Sequence, residues 1–398
     1  MAFMQGKKFA KVMGTVMLAG SLLLAGCSSS AAGGGNKQSG NEIVLGGNFE
    51  LSGSAAAYGQ AMQKGVKLAV QQINKDGGVK VGSKKMKIKL VQKDNKSDNS
   101  SAASVASNLT TKSKVNAVIG PITSGAGLAA LPNYTKAKVP YITPGGTQDS
   151  LTVQKNGKVQ PYMFRSCFED SYQGKALAKY VYNNMHLKRV AILADKSTDY
   201  GQGLTKAFKS SYKGTVVETQ YYQAGDKDFN TLLTKLKGKK FDALYVPGYY
   251  TEAGLIVKQA RQMGINQPIV GADGFSDPKL VQIAGKKAAT NIYYTTHFDA
   301  KANTNAKATA YMKAFKAKYG EEAGTFDALA YDATYMIKDA IENEKSADST
   351  KIATGLSKLK DFKGVTGTIT IDKKHNPQKQ VIVAKVVNGK EASATAVK

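Results

Sequence analysis

Six short segments carry the residue types that could grip a small polar molecule. Ile119-Gly120-Pro121-Ile122-Thr123-Ser124-Gly125 sets two hydroxyls where an apolar run gives way to a helical pattern. Free backbone N–H groups and the helix dipole at such a point favour an anion. Thr123 or Ser124 acting simply as a helix cap is the plainer alternative. Ile142-Thr143-Pro144-Gly145-Gly146-Thr147 places two glycines, which let backbone approach a ligand, beside the donor Thr147. Leu51 to Gly59 is a small-residue loop with one ring, Tyr58, and Val246 to Glu252 brings Tyr249 and Tyr250 to a strand exit. Asp195 to Gly203 carries Tyr200, and Gly271-Ala272-Asp273-Gly274 holds a carboxylate on a glycine-flanked turn. A solvated Asp is the commoner reading of such a turn. The chemistry these types offer is recognition: hydroxyls and N–H groups for an anion, rings for apolar surface, and an acid.

Each segment has to be positioned by the elements around it. From Glu42 onward, short apolar runs alternate with helical patterns. Strands are predicted at Ile43–Leu45, Met86–Val91, Val115–Ile119 and Val139–Ile142, with helices at Gln60–Asn74, Ala102–Leu109 and Leu128–Ala137 between them. After Gly174 the pattern restarts. Helices at Lys175–Met185, Gly203–Tyr212, Phe229–Leu236 and Gly254–Met263 alternate with strands at Val190–Leu193, Val216–Tyr221, Ala243–Val246 and Ile269–Val270. Repeated β-α units imply parallel, twisted sheets covered by helices, here an α/β fold of two Rossmann-like lobes with a cleft between them. In such sheets ligands sit beyond the carboxyl ends of the strands, and each segment above follows a strand.

Composition narrows the function. The 398 residues suffice for two domains with real cores. Lys+Arg total 56 against 29 Asp+Glu, a formal charge of +27. Only Arg165, Arg189 and Arg261 among these are arginines, the residue that grips phosphates and bases in a fixed fork. The lysines are spread along the chain rather than gathered in a stripe, which argues against nucleic acid and for a solvated coat facing an anionic envelope. His186, His297 and His375 stand far apart, so no metal site is expected. There is no G-x-S-x-G, no H-E-x-x-H, no phosphate loop and no G-x-G-x-x-G after the first strand. No enzyme activity and no cofactor are therefore expected.

The N-terminus has its own logic. Lys7, Lys8 and Lys11 precede an apolar run from Val12 to Ala25, long enough for a signal-peptide core and short for a permanent span. It ends in Leu24-Ala25-Gly26-Cys27, which resembles the lipobox of bacterial lipoproteins. That resemblance implies a signal peptide over residues 1–26, lipid on Cys27, and attachment to the outer face of the cell membrane. Residues 27–41, rich in Ser, Gly and Ala, then read as a flexible tether. Cys167 is left as a lone thiol in an apolar setting and reads as a packed core residue.

Taken together the segments resemble the type I periplasmic-binding-protein family, and within it the leucine/isoleucine/valine-binding branch. The match runs in family order from LSGSAAAYG at Leu51 through INKDGGV, GPITSG, ITPGGT, FRS, DYGQG, PGYYTEAG and GADG to FDALAYDA at Phe326. The resemblance implies a solute-binding protein delivering an amino acid, branched-chain by preference, to the permease subunits of an ABC importer, as a monomer. It implies a first lobe of residues 42–167 and 297–371 and a second of 168–296 and 372–398, joined by three crossings. It places Ser124 and Thr147, with backbone at Gly145 and Gly146, on the ligand's α-carboxylate, and Asp273 on its α-ammonium, where relatives often carry the longer Glu. Tyr200 and Tyr249 match rings supplied by the second lobe, while Tyr58 and Phe326 match positions lining the side-chain pocket. Some relatives carry a Cys where this chain has Thr123. A sensor reporting to a membrane receptor, or a binder of an amide or another small carboxylate, is the alternative the same fold allows. No span or signalling domain follows the binding region, which favours the importer reading.

Overall fold

The computed structural model describes residues 40–397. The expected signal segment, Cys27 and most of the tether lie outside the described residues.

The first half alternates strand and helix as the apolar periodicity requires. β1 (Glu42–Phe49) leads to α1 (Ala56–Lys75), then the hairpin β2 (Val79–Val81) and β3 (Lys84–Asp94). α2 (Asn99–Thr111), β4 (Ala117–Ile119), α3 (Ser124–Ala137), β5 (Tyr141–Thr143) and β6 (Met163–Arg165) follow. The sheet order is β2-β3-β1-β4-β5-β6, with only the β2 edge antiparallel.

The second half repeats the scheme. α4 (Asp170–Lys179), β7 (Arg189–Asp195), α5 (Asp199–Ser211), β8 (Thr215–Tyr222), α6 (Asn230–Lys237), β9 (Ala243–Tyr245), α7 (Tyr250–Gln262), β10 (Ile269–Gly271), α8 (Lys279–Ala284) and β11 (Ile292–Thr296) succeed one another. The predicted helix ending at Met185 is α4 followed by one π-helical turn, Tyr180–Asn184. The chain then leaves this sheet for α9 (Ala306–Tyr319), α10 (Thr325–Glu344) and α11 (Ser349–Ser357), a small sheet of β12 (Phe362–Gly364), β13 (Gly367–Ile371) and β14 (Pro377–Gln378), and a returning hairpin, β15 (Val381–Val387) and β16 (Lys390–Val397). The second sheet reads β16-β15-β11-β10-β9-β7-β8. β15 and β16 are antiparallel, so this lobe is mixed where the β-α repeat alone suggested a parallel sheet. From the small sheet the chain enters the second sheet between Gln378 and Val381.

Two lobes thus exchange chain at three places, the arrangement of type I periplasmic binding proteins. One helix contact matters for the site. α1 buries Tyr58, Met62, Val66, Ala69 and Ile73, residues spaced to share one face, and packs on α10. Gly65 lies on that contact: a Cβ there would stand 2.0 Å from the Asp327 carbonyl oxygen. Glycine therefore lets the helices approach closely, which brings Tyr58 and Phe326, each in the first turn of its helix, to 4.8 Å between ring centroids. Truncating buried Met62 to Ala would cost about 2–5 kcal/mol, by the usual cavity cost.

Candidate functional site

The cleft residues stand where strands end and the following turns begin. Tyr58 is in the first turn of α1, Thr123 caps α3, and Tyr249 caps α7. Tyr200 sits in the first turn of α5, whose start is fixed by the Thr198 hydroxyl accepting the Gly201 N–H at 3.1 Å. Asp273 opens a 3-10 turn directly after β10. In the first turn of α10, next to Phe326, the Asp327 carboxylate accepts the Gly324 N–H.

These turns line a narrow cavity of about 10 Å³, bounded by Tyr58, Ile122, Thr123, Gly145, Tyr200, Tyr249, Asp273, Gly274 and Phe326. That is room for about one water, so the walls stand close together here and would have to part to admit an amino acid. The structure brings seven of the ten predicted residues to its wall. The other three, Ser124, Gly146 and Thr147, are buried behind it. The Ser124 hydroxyl accepts the Gln148 N–H at 3.3 Å, and the Thr147 hydroxyl faces the carboxyl of Asp170. Thr123 lines the cavity, but its hydroxyl donates to Glu50 at 3.0 Å.

The wall is mostly apolar. Tyr200 and Tyr249 stack with centroids 4.7 Å apart and planes 4° from parallel, and Tyr58 meets Phe326 edge-on. Against these rings stands one carboxylate. Asp273 is only 2% exposed, so the expectation of a solvated turn acid is set aside by burial. Its Oδ1 accepts the Tyr200 hydroxyl at 2.7 Å and the Gln173 amide at 3.0 Å, and its Oδ2 lies 3.2 Å from His297 Nε2. Burial and the Asp273 charge push the Tyr200 hydroxyl well above its ordinary pKa, so it is a donor throughout the physiological range. Burial pushes the His297 imidazole down to about 4 against the opposing pull of Asp273, so the ring is neutral near pH 7. Its Nε2 must carry the hydrogen, because an ionised carboxylate only accepts.

Two buried charges shape the walls without touching the cavity, and sequence reasoning assigned neither. The Arg165 guanidinium is fully buried and donates to the carbonyls of Gly146, Thr147 and Gln148 and to the Thr152 hydroxyl. It holds the Gly145–Thr147 loop by its carbonyl side. Glu50, at the end of β1, accepts the Ile122 and Thr123 N–H groups at 3.1 Å. Burial raises its carboxyl above the usual range. Gln173, His297, Ile122 and Gly274 were also missed as site residues. Cys167 is buried and its thiol is pushed up to about 12 by burial, as befits a core residue. Among the described residues no group of three or more His, Cys, Asp or Glu could hold a metal.

Two α/β lobes with rings and an acid from one facing rings and helix starts from the other define a two-lobed solute-binding protein. Residues 42–391 match the periplasmic binding protein family, and the chain belongs to it. It is 34% identical over 333 residues to the Leu/Ile/Val-binding protein BraC3 of Rhizobium johnstonii, covering 83% of this chain and 87% of that one. It is 31% identical over 336 residues to the leucine-, isoleucine-, valine-, threonine- and alanine-binding protein of Pseudomonas aeruginosa, covering 84% and 86%. Among solved structures, the branched-chain amino acid transporter substrate-binding protein LivJ of Streptococcus pneumoniae, in complex with isoleucine, superposes with a TM-score of 0.84. The two are 48% identical, over 89% of this chain and 99% of that one. The leucine-binding protein LivK of Thermotoga maritima gives a TM-score of 0.82 at 33% identity, over 89% and 98%.

Proposed function

We propose that this protein captures a branched-chain amino acid outside the cell and presents it to the permease of an ABC importer, without chemical conversion of the ligand. The observation that carries this reading is the cavity itself: a small, ring-lined space with one buried carboxylate. A zwitterion leaving water needs an acid for its ammonium and donors for its carboxylate, and an aliphatic side chain needs apolar walls. In this reading Asp273 meets the ammonium, and the Thr123–Ser124 helix start with the Gly145–Thr147 loop meets the carboxylate. Ile122, Tyr58 and Phe326 meet the side chain, and Tyr200 and Tyr249 close the second-lobe wall. The names of the relatives support the same ligand class.

The chain would act as a monomer of two lobes, divided near residues 167, 297 and 371, tethered to the membrane by lipid on Cys27. No helix among the described residues is long and apolar enough to cross a membrane. Fatty-acid labelling of Cys27→Ala tests the anchor: labelling that persists in the variant sinks it. Calorimetry of the tether-free domain against the twenty amino acids tests the ligand. Leu, Ile and Val should bind most tightly. Binding confined to amides or to carboxylates lacking an amine would overturn the reading.

A further inference from the structure

We infer that His297 and Gln173 are positioning residues for the Asp273 carboxylate, so that the end of β11 fixes the group that meets the ligand's ammonium. The inference rests on the reading of Asp273 proposed above and extends it to residues that do not line the cavity.

The geometry is that of a clamp. His297 Nε2 holds Oδ2 at 3.2 Å, and the Gln173 amide holds Oδ1 at 3.0 Å while also reaching Asp170 Oδ1 at 3.3 Å. Gln173 is itself fixed, because its Oε1 accepts the Thr295 hydroxyl at 2.9 Å. Thr295 ends inside β11 and His297 is the first residue past it, where the chain leaves the second sheet. Two residues of one strand end therefore set the acid, one directly and one through Gln173. All four side chains are buried, and the His297 ring lies against Phe168 with centroids 3.6 Å apart.

An ionised carboxylate offers about four acceptor sites. Tyr200, Gln173 and His297 occupy three, which leaves about one for an incoming ammonium and fixes its direction. A packing role for His297 does not account for the residue. Its other ring nitrogen, Nδ1, is buried without a hydrogen-bond partner, a cost that Phe or Leu of similar bulk would avoid. The buried imidazole is explained by the donor it presents to Asp273. Because that donor sits at a crossing between the lobes, a movement of the crossing segment also moves the clamp on Asp273.

The test is a double-mutant cycle read by calorimetry with leucine on the tether-free domain. His297→Phe should weaken binding about tenfold or more, as expected for losing a donor to a charged group. His297→Gln, which restores an amide donor, should recover most of that loss. Thr295→Val keeps the strand end packed and frees Gln173, and it should weaken binding in the same direction. In an Asp273→Asn background His297→Phe should add little, because its effect runs through the missing charge. Full additivity in the cycle overturns the inference, and so does wild-type affinity in both His297→Phe and Thr295→Val while Asp273→Asn binds poorly. Should Asp273→Asn bind leucine as the wild type does, the ammonium assignment fails and this inference fails with it. If His297→Phe does not fold, Thr295→Val and His297→Gln decide alone: wild-type affinity in Thr295→Val overturns the clamp.

Discussion

The Tyr58 hydroxyl on α1 donates to the Gly274 carbonyl at 2.5 Å and accepts the Tyr250 N–H at 3.0 Å. One buried phenol thus joins the lobes through main-chain groups that would otherwise require water. These bonds exist only when the lobes are together, so they favour the closed arrangement and, through it, whatever ligand closure retains. Tyr58→Phe keeps the ring against Phe326 and deletes the oxygen. Solute affinity measured by calorimetry should fall by about 1–3 kcal/mol, the cost of leaving such partners unpaired. Unchanged affinity would mean that the hydroxyl contributes nothing to closure.

Asp273→Asn preserves shape and removes charge. By the range for truncating one partner of a buried charged pair, binding of leucine should weaken by about 2–5 kcal/mol. Analogues lacking the amine should bind the wild type poorly for the same reason. Tight binding of leucine by the variant would place the ammonium elsewhere.

Gly145 leaves room that a side chain would fill. A Cβ there would stand 2.6 Å from Ile122 Cγ1 and 3.2 Å from Phe326 Cε1, both on the cavity wall. Gly145→Ala should therefore narrow the pocket, costing leucine and isoleucine more affinity than alanine. Competition binding among the three acids reads this directly. An equal loss for all three would mean that the wall shifts as a unit.

The β-α alternation was legible because buried parallel strands and amphipathic helices leave strong apolar signals, as at Ala117–Ile119 and along α1. The residues of the cavity wall came from the family resemblance that the ordered motifs carry, while periodicity alone showed only that most of those motifs follow strands. The hairpin that completes the second sheet was not legible. β16 reads Lys390-Glu391-Ala392-Ser393-Ala394-Thr395-Ala396-Val397, small and polar residues on an edge strand with little to bury. The groups behind the wall were hidden because burial inverts their ordinary meaning. Glu50 looks like a surface acid until tertiary contacts supply its donors. Arg165 did leave a trace. In a chain that otherwise uses lysine, its forked guanidinium holds three loop carbonyls, and Arg261 likewise donates to the carbonyls of Ile265, Gln267 and Thr290. Arg165→Lys keeps the charge but not the fork, so the loop should loosen and leucine affinity should fall with stability in urea titrations, by about 1–3 kcal/mol. A variant that matches the wild type in both would show that one ammonium suffices there.

His297 sets the sign of one pH dependence. Its imidazole is neutral and buried, pushed down from an ordinary value near 6.5 to about 4 by desolvation, while the Asp273 carboxylate faces it and the Lys379 ammonium adds to the depression. Between those two values the unfolded chain binds the proton and the folded one does not. Stability from this residue is therefore complete above about pH 6.5, declines as pH falls toward 4, and is flat below. The total is about 3 kcal/mol. Asp327 works the other way: burial raises its carboxyl to about 7, so between its ordinary value and 7 the folded state holds the extra proton and acid favours folding. A wild-type pH profile therefore mixes opposing contributions. Comparison with His297→Gln separates them, because the acids are common to both proteins. The stability of the wild type relative to the variant, from urea denaturation at pH 7, 5.5 and 4, should drop steadily toward acid. A constant difference would mean that His297 titrates alike in the folded and unfolded chain, and one that grows toward acid would mean that it is protonated in the folded protein and pairs with Asp273 as a cation.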